Sequence, residues 1–578
     1  MEQPSDYRTR PTVSILLLIV AAAHGTSLLA DFLTDDYFNV QNALRAGWSW
    51  WGLTHGFTID ASQLNDGWQL PILSDTKVRY FRPLFLASLL VNHALWGLRP
   101  WGYHLTNILL HLGVVALFYG VLCELLDGQR AKAWFGALLY GVLPAHAMAV
   151  GWLSGRTELL PALAMMGSLW AYLRFAKTGN RVLQVASVAI AAAGLLAKEN
   201  VVVFPLILLA AWLWAVPKPR PSAGSLLPYA ALVLFYLPLR CWVLDGFPLP
   251  PPCFYYHSPT EPGFFWWALG KTVCVFYDLV FQLPLSYPIE LVLARHRIAV
   301  LTLLAVAAAI ALYLVRLIRA DRDDLWRRMG YFAIAWTALT LLPTAPFLVA
   351  PFYFYFSLAG VCLLYLVIWD RLIERRRPRW LSLPLWRKAV PIVVAVLMTI
   401  RLETSNLILV LGSQLSRRVV DRLAAEVGEP LDGLRIYAVD LPVVTAWMKS
   451  ALQLHWPGRR FEFHVLSVSP YFLPQGKLIS RLEQVDQRTL RLTVRDRPYF
   501  SGVFGLIVFG DGNREAIAAG HIWPAPGYRV EIGQDEIFGP WRHKCVRQFV
   551  FHFDEPIASP RNLFLRFAGE EWERIALQ

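Results

Sequence analysis

Asp35 and Asp36 stand side by side just after an apolar stretch, with Asp31 ahead of them and Tyr37 behind. Arg79 and Arg82 precede a second such stretch. His146, Trp152, Arg156 and Glu158 fall between two more, and Lys198, Glu199 and Asn200 between the next pair. A carboxylate held near a hydroxyl can take its proton, and an arginine can grip phosphate oxygens through two parallel hydrogen bonds. Ionisable groups beside a membrane core are costly and usually mark a site. Each group also has a plainer reading. Asp35 and Asp36 can be a solvated turn or a helix cap, and Arg82 ahead of Pro83 can simply open a helix. Arg156 with Glu158 can be an interfacial ion pair, and Lys198 with Glu199 can snorkel at a helix end. His104, Asn107 and His111 share one helical face, a pattern that suits interhelical hydrogen bonding better than a metal site. No HExxH, CxxC or Walker loop is present, and six scattered cysteines make no metal-finger spacing.

The elements that must position these groups are apolar helices. The chain has 578 residues, 56% hydrophobic and 16% charged, with a mean hydropathy of +0.43. A soluble protein carries ~25% charged residues, so a conventional cytosolic enzyme is excluded. The net charge of +13 does not argue for nucleic acid, because basic residues cluster just beyond apolar runs: Arg316, Arg319, Arg322, Arg327 and Arg328, then Arg371, Arg375, Arg376, Arg377 and Arg379. Retained Lys and Arg in cytoplasmic loops explain that pattern. Spans are expected at 13–30, 103–125, 133–151, 157–175, 182–197, 200–216, 226–243, 297–317, 329–346, 352–370 and 389–411. That makes about eleven, each near the ~20 residues a bilayer core needs. Basic connections alternate along the array, provided that 83–98 and 264–283 lie on or dip into the outer face. The acidic pair and its companions then share the outer face.

After the last span, 413–427 reads as a short amphipathic helix. Alternating runs follow at 434–437, 461–465, 490–494, 528–532, 549–553 and 563–567, separated by turn signals such as Gly510-Asp511-Gly512-Asn513. The expected organisation is a membrane module, 1–411, followed by an extracytoplasmic β-sandwich-like domain, 412–578.

Several strings have a family look: Asp35-Asp36-Tyr37, Phe81-Arg82-Pro83-Leu84, the run 96–107 from Trp96 to Asn107, Pro144-Ala145-His146, the run 152–160 from Trp152 to Leu160, and Leu196-Ala197-Lys198-Glu199. In order and spacing they resemble the GT-C integral-membrane glycosyltransferases, and within them the transmembrane TPR-containing O-mannosyltransferases and their bacterial relatives. The resemblance covers roughly residues 10–215, extends loosely to about 370, and does not reach the C-terminal part. It implies a polytopic GT-C fold in a bacterial cytoplasmic membrane. The donor would be a polyprenyl-phosphate-linked hexose, transferred with inversion on the extracytoplasmic side.

On that reading Asp35, with Asp36 beside it, takes the acceptor hydroxyl's proton. Arg82, Arg156 and Lys198 stabilise the charge building on the departing phosphate, and Tyr37, His146, Glu158 and Glu199 contact the acceptor or orient the cations. The partners would be membrane lipid, the lipid-linked donor and an acceptor protein or glycan, with no nucleic acid. No cofactor beyond the donor is implied, and the residues leave a divalent metal open. Relatives commonly carry Glu where Met148 stands, and an Arg ahead of the Tyr-rich stretch that here reads Phe352-Tyr353-Phe354-Tyr355. The TPR array is absent. Three rivals stand beside it on sequence alone: the same chemistry on a lipid or polysaccharide acceptor, a polyprenyl-glycan transporter using the acidic pair as a proton site, and an array that only anchors a binding β-domain, which leaves the outer-face ionisable cluster unexplained. A transporter of that kind should show inverted repeats, and none is detectable.

Overall fold

The computed structural model describes residues 12–60, 65–67, 77–246, 260, 263–282, 293, 296–321, 323–344, 347, 350–371, 384–442, 447–469, 479–501, 517–539, 543–569 and 571–577. Arg322, the basic residues 375–379 and the turn at 510–513 lie outside them. The membrane part comprises α1 (Val13–Ala23), α2 (Asp35–Ala46), α3 (Trp50–His55), α4 (Pro83–Trp96), α5 (Pro100–Leu125), α6 (Arg130–Gly141), α7 (His146–Gly151) and α8 (Arg156–Thr178). It continues with α9 (Arg181–Ala197), α10 (Phe204–Ala210), α11 (Leu227–Val243), α12 (Phe264–Phe281), α13 (Arg297–Arg319), α14 (Asp324–Leu341), α15 (Ser357–Trp369) and α16 (Pro384–Val427).

Among the described residues six helical stretches are long and apolar enough to cross a membrane: Pro100–Leu125, Leu153–Thr178, Ala223–Val243, Phe264–Phe281, Arg297–Arg319 and Ala389–Val427. The protein is therefore polytopic. Shorter apolar helices, Pro83–Trp96 among them, pack between these. One end of the bundle is laced by ion pairs between its basic connections: Glu124 with Arg174 and Lys177, Lys132 with Asp370, and Arg371 with Asp321.

Two sequence expectations change here. The stretch 264–283 qualifies as a span, and Tyr365 in α15 donates its hydroxyl to the carbonyls of Leu279 and Val280, 3.1 and 2.6 Å away. Alternation of the loops alone therefore does not fix which face is outside. Second, 389–411 and 413–427 are one helix. α16 runs 44 residues without a break, about 66 Å at 1.5 Å per residue, or roughly twice the apolar thickness of a bilayer.

The C-terminal residues form β3 (Leu434–Val439), α17 (Met448–His455), β4 (Phe461–Val465), β5 (Ser480–Asp486), β6 (Thr489–Val494), β7 (Ile522–Ala525), β8 (Tyr528–Phe538), β9 (His543–Phe553), β10 (Asn562–Ala568) and β11 (Glu571–Arg574). A small hairpin, β1 (Thr58–Asp60) with β2 (Lys77–Arg79), belongs to the first long connection. One sheet is antiparallel in the order β5-β6-β9-β8-β7. The other is mixed, β11-β10-β3-β4, with β10, β3 and β4 parallel. Parallel strands need cover on both faces, and β3 shows how this one gets it. Tyr437 and Val439 pack into the core of the antiparallel sheet. Ile436 and Ala438 pack with Phe38 of α2, Phe85 of α4 and Leu423 of α16. The result is three layers: helices, mixed sheet, antiparallel sheet.

This shared core is testable. Leu423→Ala removes a fully buried side chain of α16 and should cost about 2–5 kcal/mol, read as a lowered Tm in detergent. Leu411→Ala on the same helix, 64% exposed, should stay within about 0.5 kcal/mol.

Candidate active site

α2 starts abruptly. Thr34 sits at φ 46° immediately before it, a conformation that β-branched residues avoid unless their surroundings impose it. Asp36 supplies the constraint. Its fully buried carboxylate accepts the N–H of Leu33 at 2.9 Å through Oδ2, and through Oδ1 the N–H and hydroxyl of Ser154 at 3.0 and 2.6 Å. Asn39, one turn on, donates to the same hydroxyl at 2.7 Å. The start of α2 is thus locked to the turn that leads into α8.

Asp35 next to it faces a cavity of about 410 Å³, with Trp447 Nε1 donating to its Oδ1 at 2.5 Å. Burial pushes the Asp35 carboxyl up to about 6, against the pull of that indole N–H. Burial likewise pushes Asp36 up to about 7, opposed by the Ser154 and Leu33 hydrogen bonds.

Cations line the same cavity. The β1–β2 hairpin, continued by Tyr80 N–H to Phe57 O at 2.8 Å, delivers Arg82. Its guanidinium lies 4.4 Å over the Tyr80 ring and grips Glu199 through Nε and Nη2 at 3.0 and 2.5 Å. Lys198, in extended conformation at the end of α9, turns inward to pair with Glu158 in the first turn of α8 and lies 5.1 Å over Tyr353. Arg240 of α11 lines the same cavity, and its buried Nε has no partner among the described residues. The acceptor oxygens of Asn39 and Asn200, which also line the cavity, are buried and likewise unpartnered there. Phe38, Phe57, Trp152 and Phe352 complete an apolar lining. A mostly apolar pocket with a few convergent polar groups is the usual form of a small-molecule site.

Asp35, Arg82, Lys198 and Glu199 therefore come together as expected from the sequence, with Glu158 behind Lys198. Others do not. Arg156, expected on the phosphate, is buried between helices and spends its fork on Asn107 Oδ1 at 2.8 Å, Tyr103 O at 2.9 Å and Ser88 O at 3.2 Å. Asp36 is a structural clamp. His146 is sealed among rings, 4.5 Å from Tyr355 and 4.6 Å from Tyr140. Tyr37 lines a different cavity, with Asp31, Arg99 and Arg417. Met148 borders a third, with Asp278, Gln282 and Arg401. Arg240 and Asn39 line the cavity and Trp447 donates to Asp35, none of them among the residues expected from the sequence pattern. Only Arg240 carries a usable signal, as the one charged residue of the apolar span Ala223–Val243. Among the described residues no three His, Cys, Asp or Glu side chains are grouped to hold a metal ion.

No family model matches the chain. It is 31% identical over 159 residues to human Protein O-mannosyl-transferase TMTC2, covering 27% of this chain and 18% of that protein. To the mouse Protein O-mannosyl-transferase TMTC3 it is 28% identical over 191 residues, covering 32% of this chain and 20% of that protein. The chain thus spans about a fifth of the length of the curated relatives it matches. ArnT from Cupriavidus metallidurans, solved bound to undecaprenyl phosphate, aligns with a TM-score of 0.45 at 15% identity, covering 78% of this chain and 89% of ArnT. That structural likeness is too remote to carry weight. The resemblance to transmembrane O-mannosyltransferases read from the motifs is borne out by the sequence matches.

The two aspartates should separate in a thermal-shift measurement. Leu33 N–H donates to one carboxylate oxygen of Asp36 and Ser154 to the other, so Asp36→Asn sets an amide NH₂ against one of these backbone N–H groups; a buried donor left unpaired costs about 1–3 kcal/mol, so Tm should fall. Asp35→Asn keeps an oxygen for the single indole donor and should leave Tm unchanged.

Proposed function

We propose that the chain is an inverting glycosyltransferase of GT-C type that moves a hexose from a polyprenyl-phosphate donor to an acceptor hydroxyl at the outer face of the membrane. The acceptor is a protein hydroxyl, in keeping with the names of the relatives matched. The carrying observation is one cavity with Asp35 on one wall and Arg82, Lys198 and Arg240 lining it. In this reading the array spans a bacterial cytoplasmic membrane about eleven times, and residues 412–578 lie on the side of the cavity.

The reaction follows from the placement of charge. The acceptor oxygen attacks the anomeric carbon as Asp35 removes its proton. The bond from that carbon to the phosphate oxygen breaks on the other side, and polyprenyl phosphate leaves with the electron pair. Arg82 and Lys198 are already neutralised by Glu199 and Glu158, so they position the phosphate more than they attract it. Arg240, with an unused Nε, is the better phosphate ligand. Charge grows on the phosphate as the bond breaks, so these contacts strengthen in the transition state.

Turnover of a polyprenyl-phosphate mannose with a Ser/Thr-containing peptide, followed by mass spectrometry, tests this. Asp35→Asn should abolish transfer. Arg240→Lys or Arg82→Lys should lower kcat by a factor near a hundred, about 3 kcal/mol, because a point charge does not reproduce a guanidinium fork. With the Asp35 carboxyl near 6, the base is ionised above that pH, so kcat should fall as pH drops through about 6. Wild-type rates in the Asp35→Asn protein would end this reading.

A further inference from the structure

Trp447 lies more than four hundred residues from α2 in sequence, yet its indole closes on the start of that helix. The ring stacks on Phe38 at 4.3 Å between centroids and 24° between planes, and Phe38 sits one turn after Asp35. The indole N–H then meets Asp35 Oδ1 at 2.5 Å, the only side-chain hydrogen bond to Asp35 among the described residues. Trp447 itself is buried.

The element that carries it is pinned independently. Asp66 N–H donates to Phe463 O, and Phe463 N–H donates back to Asp66 Oδ2, both at 2.8 Å. Val465 N–H donates to Asn65 Oδ1 at 2.8 Å, and Lys449, two residues after Trp447, pairs with Asp66 at 2.5 Å. Arg45, at the far end of α2, donates to Gln453 of α17 at 3.0 Å. Residues 65–67 of the first long connection are thus zipped onto β4, and α17 is fixed against α2 at several points.

We propose that Trp447 is a positioning residue for the catalytic base, so that the C-terminal region completes the catalytic centre. The indole N–H occupies Oδ1 and leaves Oδ2 for the acceptor's proton, while the stack on Phe38 fixes the plane of the donor. The inference rests on the reading of Asp35 as the base. A group that donates to a carboxylate favours its ionised form, so the indole also keeps Asp35 available as a base.

The test uses full-length protein in detergent. Trp447→Phe keeps an aromatic ring on Phe38 and deletes the donor. The other charged groups around Asp35 stay in place: Asp36 on its own helix, Arg79 and Arg82 from β2 and its continuation, Lys198 and Glu199 between α9 and α10, Arg240 on α11 and Lys449 on α17. The expected result is a kcat about tenfold lower, the loss anticipated for one hydrogen bond to a charged group. The KM for the polyprenyl-phosphate mannose donor should stay unchanged. The acid limb of the pH–rate profile should move up by about one unit. Trp456→Phe, in the same buried core but away from Asp35, should lower Tm without moving the profile.

A second readout does not require turnover. The Asp35 carboxyl band, identified in infrared pH-difference spectra as the one lost in Asp35→Asn, should titrate at higher pH in Trp447→Phe. If wild type transfers no sugar but that midpoint rises, the glycosyl-transfer reading fails and the positioning stands. If midpoint and acid limb match wild type in Trp447→Phe, the positioning role is overturned, whatever happens to the rate.

Discussion

The bond set around Asp36 is the constraint from which the site follows. Its carboxylate satisfies three donors, two of them on Ser154, and so ties the first turn of α2 to the entry of α8. Because the two aspartates are adjacent on a helix, fixing Asp36 toward Ser154 turns Asp35 about 100° away, toward the cavity. The same entry of α8 carries Arg156, whose acceptors on Ser88, Tyr103 and Asn107 join α4 and α5 to it, and Glu158, which holds Lys198. An adjacent pair of carboxylates thereby acquires two jobs, one structural and one facing the cavity.

The partly buried Arg82–Glu199 pair and the buried Lys198–Glu158 pair acquire a purpose on the reading proposed for the cavity. Burying a charge pair seldom stabilises a fold against an apolar substitute, because desolvation offsets the attraction. Here Arg82 with Glu199 and Lys198 with Glu158 stand side by side on one wall. The glutamates hold both cations at fixed positions. Arg240 adds a further cation, so the wall suits an anion already carrying charge and gaining more. Such preorganisation needs no rearrangement as the bond breaks.

How much of this could be read from residues alone depends on the range of the contacts. Asp35, Arg82, Lys198 and Glu199 were legible because an ionisable residue at the end of an apolar run is costly wherever the chain goes next. Arg156 has the same signature but a different role: nothing in residue type separates an arginine that binds phosphate from one that binds three backbone and side-chain oxygens between helices. Arg240 lies inside the apolar span Ala223–Val243, where its isolation is the clue that residue type offers. Alternating runs placed strands at β3, β4, β6, β8, β9 and β10, yet alternation is silent on pairing. The parallel β3–β4 ladder joins strands on either side of α17, while the β3–β10 ladder and the packing of α2 and α4 on the far face arise from contacts across more than a hundred residues. Trp447 over Asp35 belongs to that class.

The mixed sheet explains why α16 is so long. A parallel sheet with one face on the antiparallel layer must bury the other, and the helices available at this end of the bundle are α2 and α4, which also carry the site. α16 rises past the apolar zone and lays Val419, Val420 and Leu423 against the same face, while Trp572 of β11 donates to Val419 O at 3.0 Å. The helix that bears Asp35 is then held from below by Ser154 and from above by the sheet and Trp447. On the proposed reading of Asp35 as the base, a carboxylate fixed from both sides has little freedom to rotate away from an acceptor, and positioning of this kind is where much of a transfer barrier is met. The C-terminal sheets are therefore part of the mechanical frame of the cavity, and sequence changes in β3, β4 or α17 bear on Asp35 as directly as changes in the membrane helices do.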